Sequence, residues 1–147
     1  MKKILTIVLL SVSFLSADVY VGLGPAFSNG SDELLYWFSG GQYFHRGNFD
    51  TKLKVDFASD FQHFKEGTFL SGSLGMNYYF IKDFMLAGLD FGFGSDFEEF
   101  GFTGGVSFGV ALAERTFLVE PSFQAVFREG VPFIAGLKIG MLFGKNE

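Results

Sequence analysis

Beyond residue 17, bulky apolar side chains alternate with small or polar ones at period two, and no stretch keeps the 3.6-residue period of a helix. Phe100 to Leu112 is the clearest case. Phe100, Phe102, Val106, Phe108, Val110 and Leu112 share one face, and Gly101, Thr103, Gly105, Ser107, Gly109 and Ala111 share the other. In Phe49 to Ser59, Phe49, Thr51, Leu53, Val55 and Phe57 oppose Asp50, Lys52, Lys54, Asp56 and Ala58. In Phe69 to Phe80, Leu70, Leu74, Met76, Tyr78 and Phe80 oppose Ser71, Ser73, Gly75, Asn77 and Tyr79. Met85 to Gly94 and Phe133 to Phe143 repeat the pattern, with Asp90 and Lys138 on their less apolar faces. Three segments are weaker. Val19 to Gly24 alternates and ends at Pro25, Leu34 to Phe44 has ambiguous parity, and Phe117 to Phe127 contains Pro121. Proline cannot donate a ladder hydrogen bond, so a bulge or local break is expected at Pro121.

Eight segments of about ten residues match the ~9–11 residues of a tilted membrane-spanning β-strand. The connections His45 to Asn48, Ile81 to Asp83 and Ala113 to Thr116 are short. Ser28 to Glu33, Ser59 to Gly67 and Ser95 to Glu99 are polar, acidic and mostly longer, as in barrels with tight periplasmic turns and longer outer loops. Arg128 to Pro132 is short and departs from that alternation. The less apolar face decides between a soluble and a membrane barrel. It is mostly Gly, Ser and Ala with a few charges. Exposed to water, it would be bare backbone with little to keep the protein soluble. Turned inward, it suits an eight-stranded barrel, whose interior is just wide enough for side chains to fill. The expected fold is therefore all-β: a closed antiparallel up-and-down transmembrane barrel of eight strands.

Composition sharpens this in three ways. Twenty-two Phe and twenty Gly against three Pro suit many short strands with a crowded inner face. The absence of cysteine excludes disulfides, Cys-based zinc sites and an N-terminal lipidated cysteine. Lys2 and Lys3, the apolar run Ile4 to Leu15 and the small residues Ser16 and Ala17 read as an export signal, with cleavage expected after Ala17. The domain expectation is thus a signal peptide over 1–17 and a barrel over 18–147. Residues 18–147 carry nine Lys and Arg against sixteen Asp and Glu, a formal charge of −7. Nucleic-acid binding depends on neutralising phosphates, so no such partner is expected.

The signal segment, the eight alternating strands and the aromatic-ended last strand (Leu137, Ile139, Met141, Phe143) resemble the small outer-membrane barrels of the OmpA/OmpX type. The resemblance covers residues 18–147 as a pattern rather than as a motif. It implies a cell outer-membrane location, contact with outer-membrane lipid and lipopolysaccharide, and insertion by the barrel-assembly machinery. Such barrels usually end on the terminal aromatic, whereas Gly144, Lys145, Asn146 and Glu147 follow Phe143 here.

By parity, the lumen receives Asp50, Lys52, Lys54, Asp56, Asp90, Glu120, Arg128 and Lys138, four charges of each sign. Buried charges are costly unless paired, so a network that plugs the lumen is expected. Glu120 and Lys138 should be diagonal neighbours, and Lys54 and Asp90 should lie at similar heights. The expected role is structural or interactive, adhesin-like or membrane-stabilising, without a cofactor. A narrow pore is the alternative. A lipid A-modifying barrel enzyme is a further one, since barrels of this size in that class use a His with Ser and an acidic residue. His45 reads as a solvated turn residue, and His63, near Ser59 and Asp60, as a solvated loop residue. Asp96, Glu98 and Glu99 with Asp32 and Glu33 are oxygen ligands, but their spacing matches no calcium motif. The run Gly101 to Gly105 lies within a strand, so it is no phosphate loop.

Overall fold

The computed structural model describes residues 17–62, 68–97 and 99–144. The strands are β1 (Asp18–Ser28), β2 (Ser31–Arg46), β3 (Phe49–Ser59), β4 (Phe69–Ile81), β5 (Met85–Ser95), β6 (Phe100–Leu112), β7 (Phe117–Phe127) and β8 (Phe133–Phe143). Each pairs antiparallel with its neighbours in sequence, and β1 pairs with β8 to close the ring. Closure leaves no unpaired strand edge, the condition hydrocarbon imposes on a spanning sheet. Among the described residues no helix is long and apolar enough to cross a membrane.

Period-two alternation sorts the side chains. Val106 and Phe108 point outward while Ser107 between them is buried, and Leu53 and Val55 point outward around buried Lys54. The outer wall is therefore continuous Phe, Leu, Val and Ile, with Tyr and Phe gathered near strand ends. Phe61 packs on Tyr36, Phe38 and Phe57 with ring centroids 5.9–6.2 Å apart, and Phe49 lies 4.9 Å from Tyr78. The described chain ends meet at one rim with the turns over residues 47–48, 82–84 and 113–116, here called the terminal mouth. The opposite ends of the strands, where β1 meets β2, β3 leads to β4, β5 to β6 and β7 to β8, make the loop mouth.

Several expectations need correction. β1 does not end at Pro25 but runs on to Ser28, because an outward proline is tolerated where the ladder to β8 lapses between Leu23 and Ala26. The connection expected over Ser28 to Glu33 shrinks to Asn29 and Gly30, since Ser31 already pairs with Ser28. β2 then spans sixteen residues, and its parity is settled by Leu35, Trp37, Ser39 and Tyr43 facing inward. At Pro121 the expected local break occurs, without a bulge. The pairing with β6 passes from Ser107↔Ser122 to Val110↔Val119 in unchanged register, so only the local ladder on that side lapses. Register shifts occur instead between Ala26 and Ser28 and between Tyr79 and Ile81.

One connection is locally unfavourable. Ala113, Glu114 and Arg115 all adopt left-handed backbone, with φ of 50°, 55° and 70°. Non-glycine residues rarely do so.

Depth should govern the cost of charging the outer wall. Phe108, 62% exposed in mid-strand, should cost ~2–4 kcal/mol as Phe108→Arg, while Phe100→Arg at the rim should cost ~0–1 kcal/mol. Denaturant unfolding in lipid vesicles measures both, and equal costs would break the assignment of lipid depth.

Candidate functional site

The lumen holds a dense, buried collection of charge. β3 delivers Asp50, Lys52, Lys54 and Asp56 inward because each occupies an alternate position, and all four are buried. β5 adds Asp90, β7 adds Glu120 and β8 adds Lys138, equally buried.

Five of these form one connected set around Lys54. Its ammonium lies 3.0 Å from Asp90 Oδ2 and 3.1 Å from Asp56 Oδ2. Lys52 Nζ lies 3.1 Å from Asp90 Oδ1, and Lys138 Nζ lies 3.5 Å from Asp56 Oδ1. Asp56 also accepts hydrogen bonds from Trp37 Nε1 at 3.0 Å and from Ser39 Oγ. Lys138 donates to Ser39 Oγ at 3.3 Å and sits 4.3 Å over the Trp37 ring, a cation–π contact. Three ammonium groups thus meet two carboxylates directly.

The third carboxylate is Glu120. It is the direct cross-strand partner of Lys138, not the diagonal neighbour expected, because the β7–β8 pairing is centred one residue nearer the N-terminus. Its Oε2 nevertheless accepts from Tyr20 OH at 2.9 Å, while Lys138 turns toward Asp56. Glu120 balances the formal charge of the lumen without a direct ion pair to it. Glycines make the room for these long side chains. A Cβ at Gly75 would lie 2.7 Å from Lys52 Cε and one at Gly88 3.0 Å from its Nζ.

Apolar plates cover this ionic layer on both sides. Tyr20, Tyr43, Tyr79, Leu86, Ala111, Leu118 and Leu142 cluster toward the terminal mouth. Ala26, Leu35, Trp37, Ala58, Phe69, Val126 and Ile134 cluster toward the loop mouth.

Asp50 and Arg128 lie outside the central set. Arg128, at the loop mouth, pairs with Asp96 and lies 3.5 Å from Glu99. Asp50, at the terminal mouth, faces His45 Nδ1 at 2.5 Å and Arg115 Nη1 at 3.2 Å. His45 is exposed at the rim, as expected, but it stands in β2 rather than in the turn and both its ring nitrogens face carboxylates: its Nε2 lies 2.5 Å from Asp18 Oδ2. A neutral imidazole has one N–H, so donation to both carboxylates requires the doubly protonated ring. Arg115 also donates to Asp83 at 2.6 Å and to the Gly47 carbonyl at 2.9 Å, and lies 4.1 Å over the Tyr79 ring. A cavity of about 500 Å³ opens beside this cluster, lined by Asp18, His45, Glu114, Arg115, Thr116 and Leu142 among others.

Sequence reasoning missed Tyr20, Trp37 and Ser39 in the lumen, and Asp18, Asp83 and Arg115 at the mouth. A settled β2 parity would have supplied Trp37 and Ser39, and the β1 alternation already put Tyr20 opposite Val19 and Val21; the residues at the mouth carry no local signal. His63 and Glu98 lie outside the described residues. Among those described, no group of three or more His, Asp or Glu side chains is arranged to hold a metal ion.

No family model matches the chain, and no curated protein matches it. Solved structures do. The barrel is similar to Ail, the attachment invasion locus protein of Yersinia pestis, in complex with the heparin analogue sucrose octasulfate. That match has 13% identity, covers 87% of this chain and 99% of that one, and has a TM-score of 0.59. The N-terminal β-barrel domain of Pseudomonas aeruginosa OprF matches at 17% identity over 87% of this chain and 98% of that one, with a TM-score of 0.53. Ail in a phospholipid bilayer nanodisc matches at 13% identity over 87% and 100%, with a TM-score of 0.54. At such identities the likeness concerns the fold: the chain is built as a small eight-stranded barrel of the outer-membrane type.

Lys54 is the shared cation of Asp56 and Asp90, so Lys54→Met should destabilise the barrel by ~3–5 kcal/mol. In that variant Asp90 keeps Lys52 and Asp56 keeps Lys138, but the lumen is left one charge negative. Adding Glu120→Gln, at the carboxylate without a direct ion pair, should restore part of the loss. Urea unfolding in vesicles measures both, and strictly additive losses would exclude the coupling.

Proposed function

We propose that this chain is an integral outer-membrane barrel with a structural or interaction role, and that it neither conducts nor catalyses. The observation that carries this reading is the lumen itself, in which charges paired with one another lie between two apolar plates. A water-filled pathway needs polar walls with solvent among them. Here the space is taken by Trp37, Tyr20, Tyr43, Tyr79 and the lysine stems. The outer wall, continuous in exposed Phe, Leu, Val and Ile, supports a lipid environment.

An interaction role would fall to the loop mouth, where the start of β2 and the connections carry most of the acidic residues outside the lumen, among them Asp32, Glu33, Asp60, Asp96, Glu99 and Glu129. Arg128 there is engaged by Asp96 and Glu99. Such a rim would repel polyanions, so the sulfated ligand bound to the Yersinia protein is a poor guide here. A cationic surface, or lipopolysaccharide bridged by divalent cations, suits the charge better.

The reading is tested in outer-membrane fractions and planar bilayers. The expected outcome is a membrane-resident protein with heat-modifiable gel mobility and no steady conductance. Recovery from the soluble periplasmic fraction would remove the membrane reading. Reproducible openings of the unmodified protein would replace the plug with a pore. For catalysis, His63→Ala should leave lipid A acylation in the host unchanged.

A further inference from the structure

At the terminal mouth two carboxylates stand on either side of one imidazole ring. Asp18 opens β1, the strand that closes the barrel against β8, and Asp50 lies on β3, with β2 between them. His45, near the end of β2, is the direct cross-strand partner of Asp50 and reaches both neighbours of its own strand. Its Nδ1 lies 2.5 Å from Asp50 Oδ1 and its Nε2 lies 2.5 Å from Asp18 Oδ2. Among the described residues Asp18 has no other charged partner, whereas Asp50 also receives Arg115 Nη1 at 3.2 Å.

The two carboxylates differ in what surrounds them. Asp50 is fully buried, while Asp18 stands at the rim beside the terminal cavity with its side chain 17% exposed. The other groups around the ring come from three further elements. From the β6–β7 turn, Arg115 lies 3.3 Å from Nδ1 and keeps its charge, and Glu114 lines the cavity. From β4, Tyr79 lies under the guanidinium, and Asp83 in the β4–β5 turn accepts from its Nε. β8 brings only Leu142 and Phe143 to the cavity.

We propose that His45 is a proton-operated tie at the seam of the terminal mouth: protonated, it holds β1 to β3 through both carboxylates, and neutral, it keeps Asp50 and lets Asp18 go. The neutral ring has one N–H and one lone pair. Whichever nitrogen lacks the proton faces a carboxylate oxygen 2.5 Å away, acceptor against acceptor, so one of the two contacts must open. Opening at Asp50 would leave a fully buried carboxylate to Arg115 alone. Opening at Asp18 only returns a rim carboxylate to water, which costs far less. The surviving N–H is therefore the one on Nδ1. The protonated ring makes both contacts and the neutral ring one, so the contribution of the tie is complete in acid and is lost as pH rises through the imidazole range. Asp18 and His45 both line the cavity of about 500 Å³, so the same event unfastens its wall where β1 begins. The tie needs only the folded barrel and holds whatever role the barrel has.

Histidine occurs only at 45 and 63, so His63→Ala leaves a single imidazole to follow. In that background, urea unfolding in phospholipid vesicles of Asp18→Asn, His45→Gln and the two combined gives the coupling between these side chains. The expected coupling is about threefold in the unfolding constant at about pH 5 and absent at about pH 9, a size ordinary for a partly exposed ion pair. Nitrogen NMR of the isotope-labelled imidazole in the same background should show both ring nitrogens protonated in acid and Nδ1 alone protonated at the higher pH. Coupling that persists at the higher pH, or coupling at neither, would overturn the inference. So would a neutral ring protonated on Nε2, or a ring still doubly protonated at about pH 9.

Discussion

A ring of eight tilted strands encloses room for one layer of side chains and no more, and that narrowness governs the rest of the molecule. Every inward position must hold something small or interlock with what faces it. The glycines opposite Lys52 and the tyrosines of the terminal cluster are two answers to the same limit. Charges in such a space cannot be hydrated individually, so they must neutralise one another at hydrogen-bond distance. Lys54 does this for two carboxylates at once, and Trp37 and Ser39 take up remaining capacity on Asp56. The outer wall is freed from any packing duty and needs only to be apolar.

Much of the fold was legible in the sequence because a strand writes its orientation into every second residue. Phe100 to Leu112 and Phe49 to Ser59 needed nothing further, and eight such segments implied closure. The boundaries were less legible. Pro25 looked like a stop and Pro121 like a bulge or break, and each sits where the ladder lapses on one side only, so the strand passes through. β2 was opaque because Gly40, Gly41 and Gln42 blur its alternation in mid-strand.

Of the site, the identity of the inward charges could be read from parity, but their partners could not. Register is a tertiary quantity: the one-residue offset of the β7–β8 hairpin made Glu120 and Lys138 direct partners rather than diagonal ones. The choice of Asp56 by Lys138 then depends on groups on β2 and β3 that only closure brings near. The apolar plates were missed for a simpler reason. Leu35, Leu86, Leu118 and Ile134 fall on inward parity, but a face judged by its glycines, serines and alanines gave no weight to the large apolar groups it also carries.

The turn through Ala113, Glu114 and Arg115 bears on the cooperativity of assembly. Three successive left-handed residues cost about 1–2 kcal/mol each when nothing holds them. What holds them is Arg115, whose guanidinium grips Asp50, Asp83 and the Gly47 carbonyl on three other connections and strands. The β6–β7 hairpin therefore has little reason to persist alone, before the turns around it are in place. Local turn formation and ring closure become a single event at this rim, and an unclosed sheet is denied a stable intermediate there.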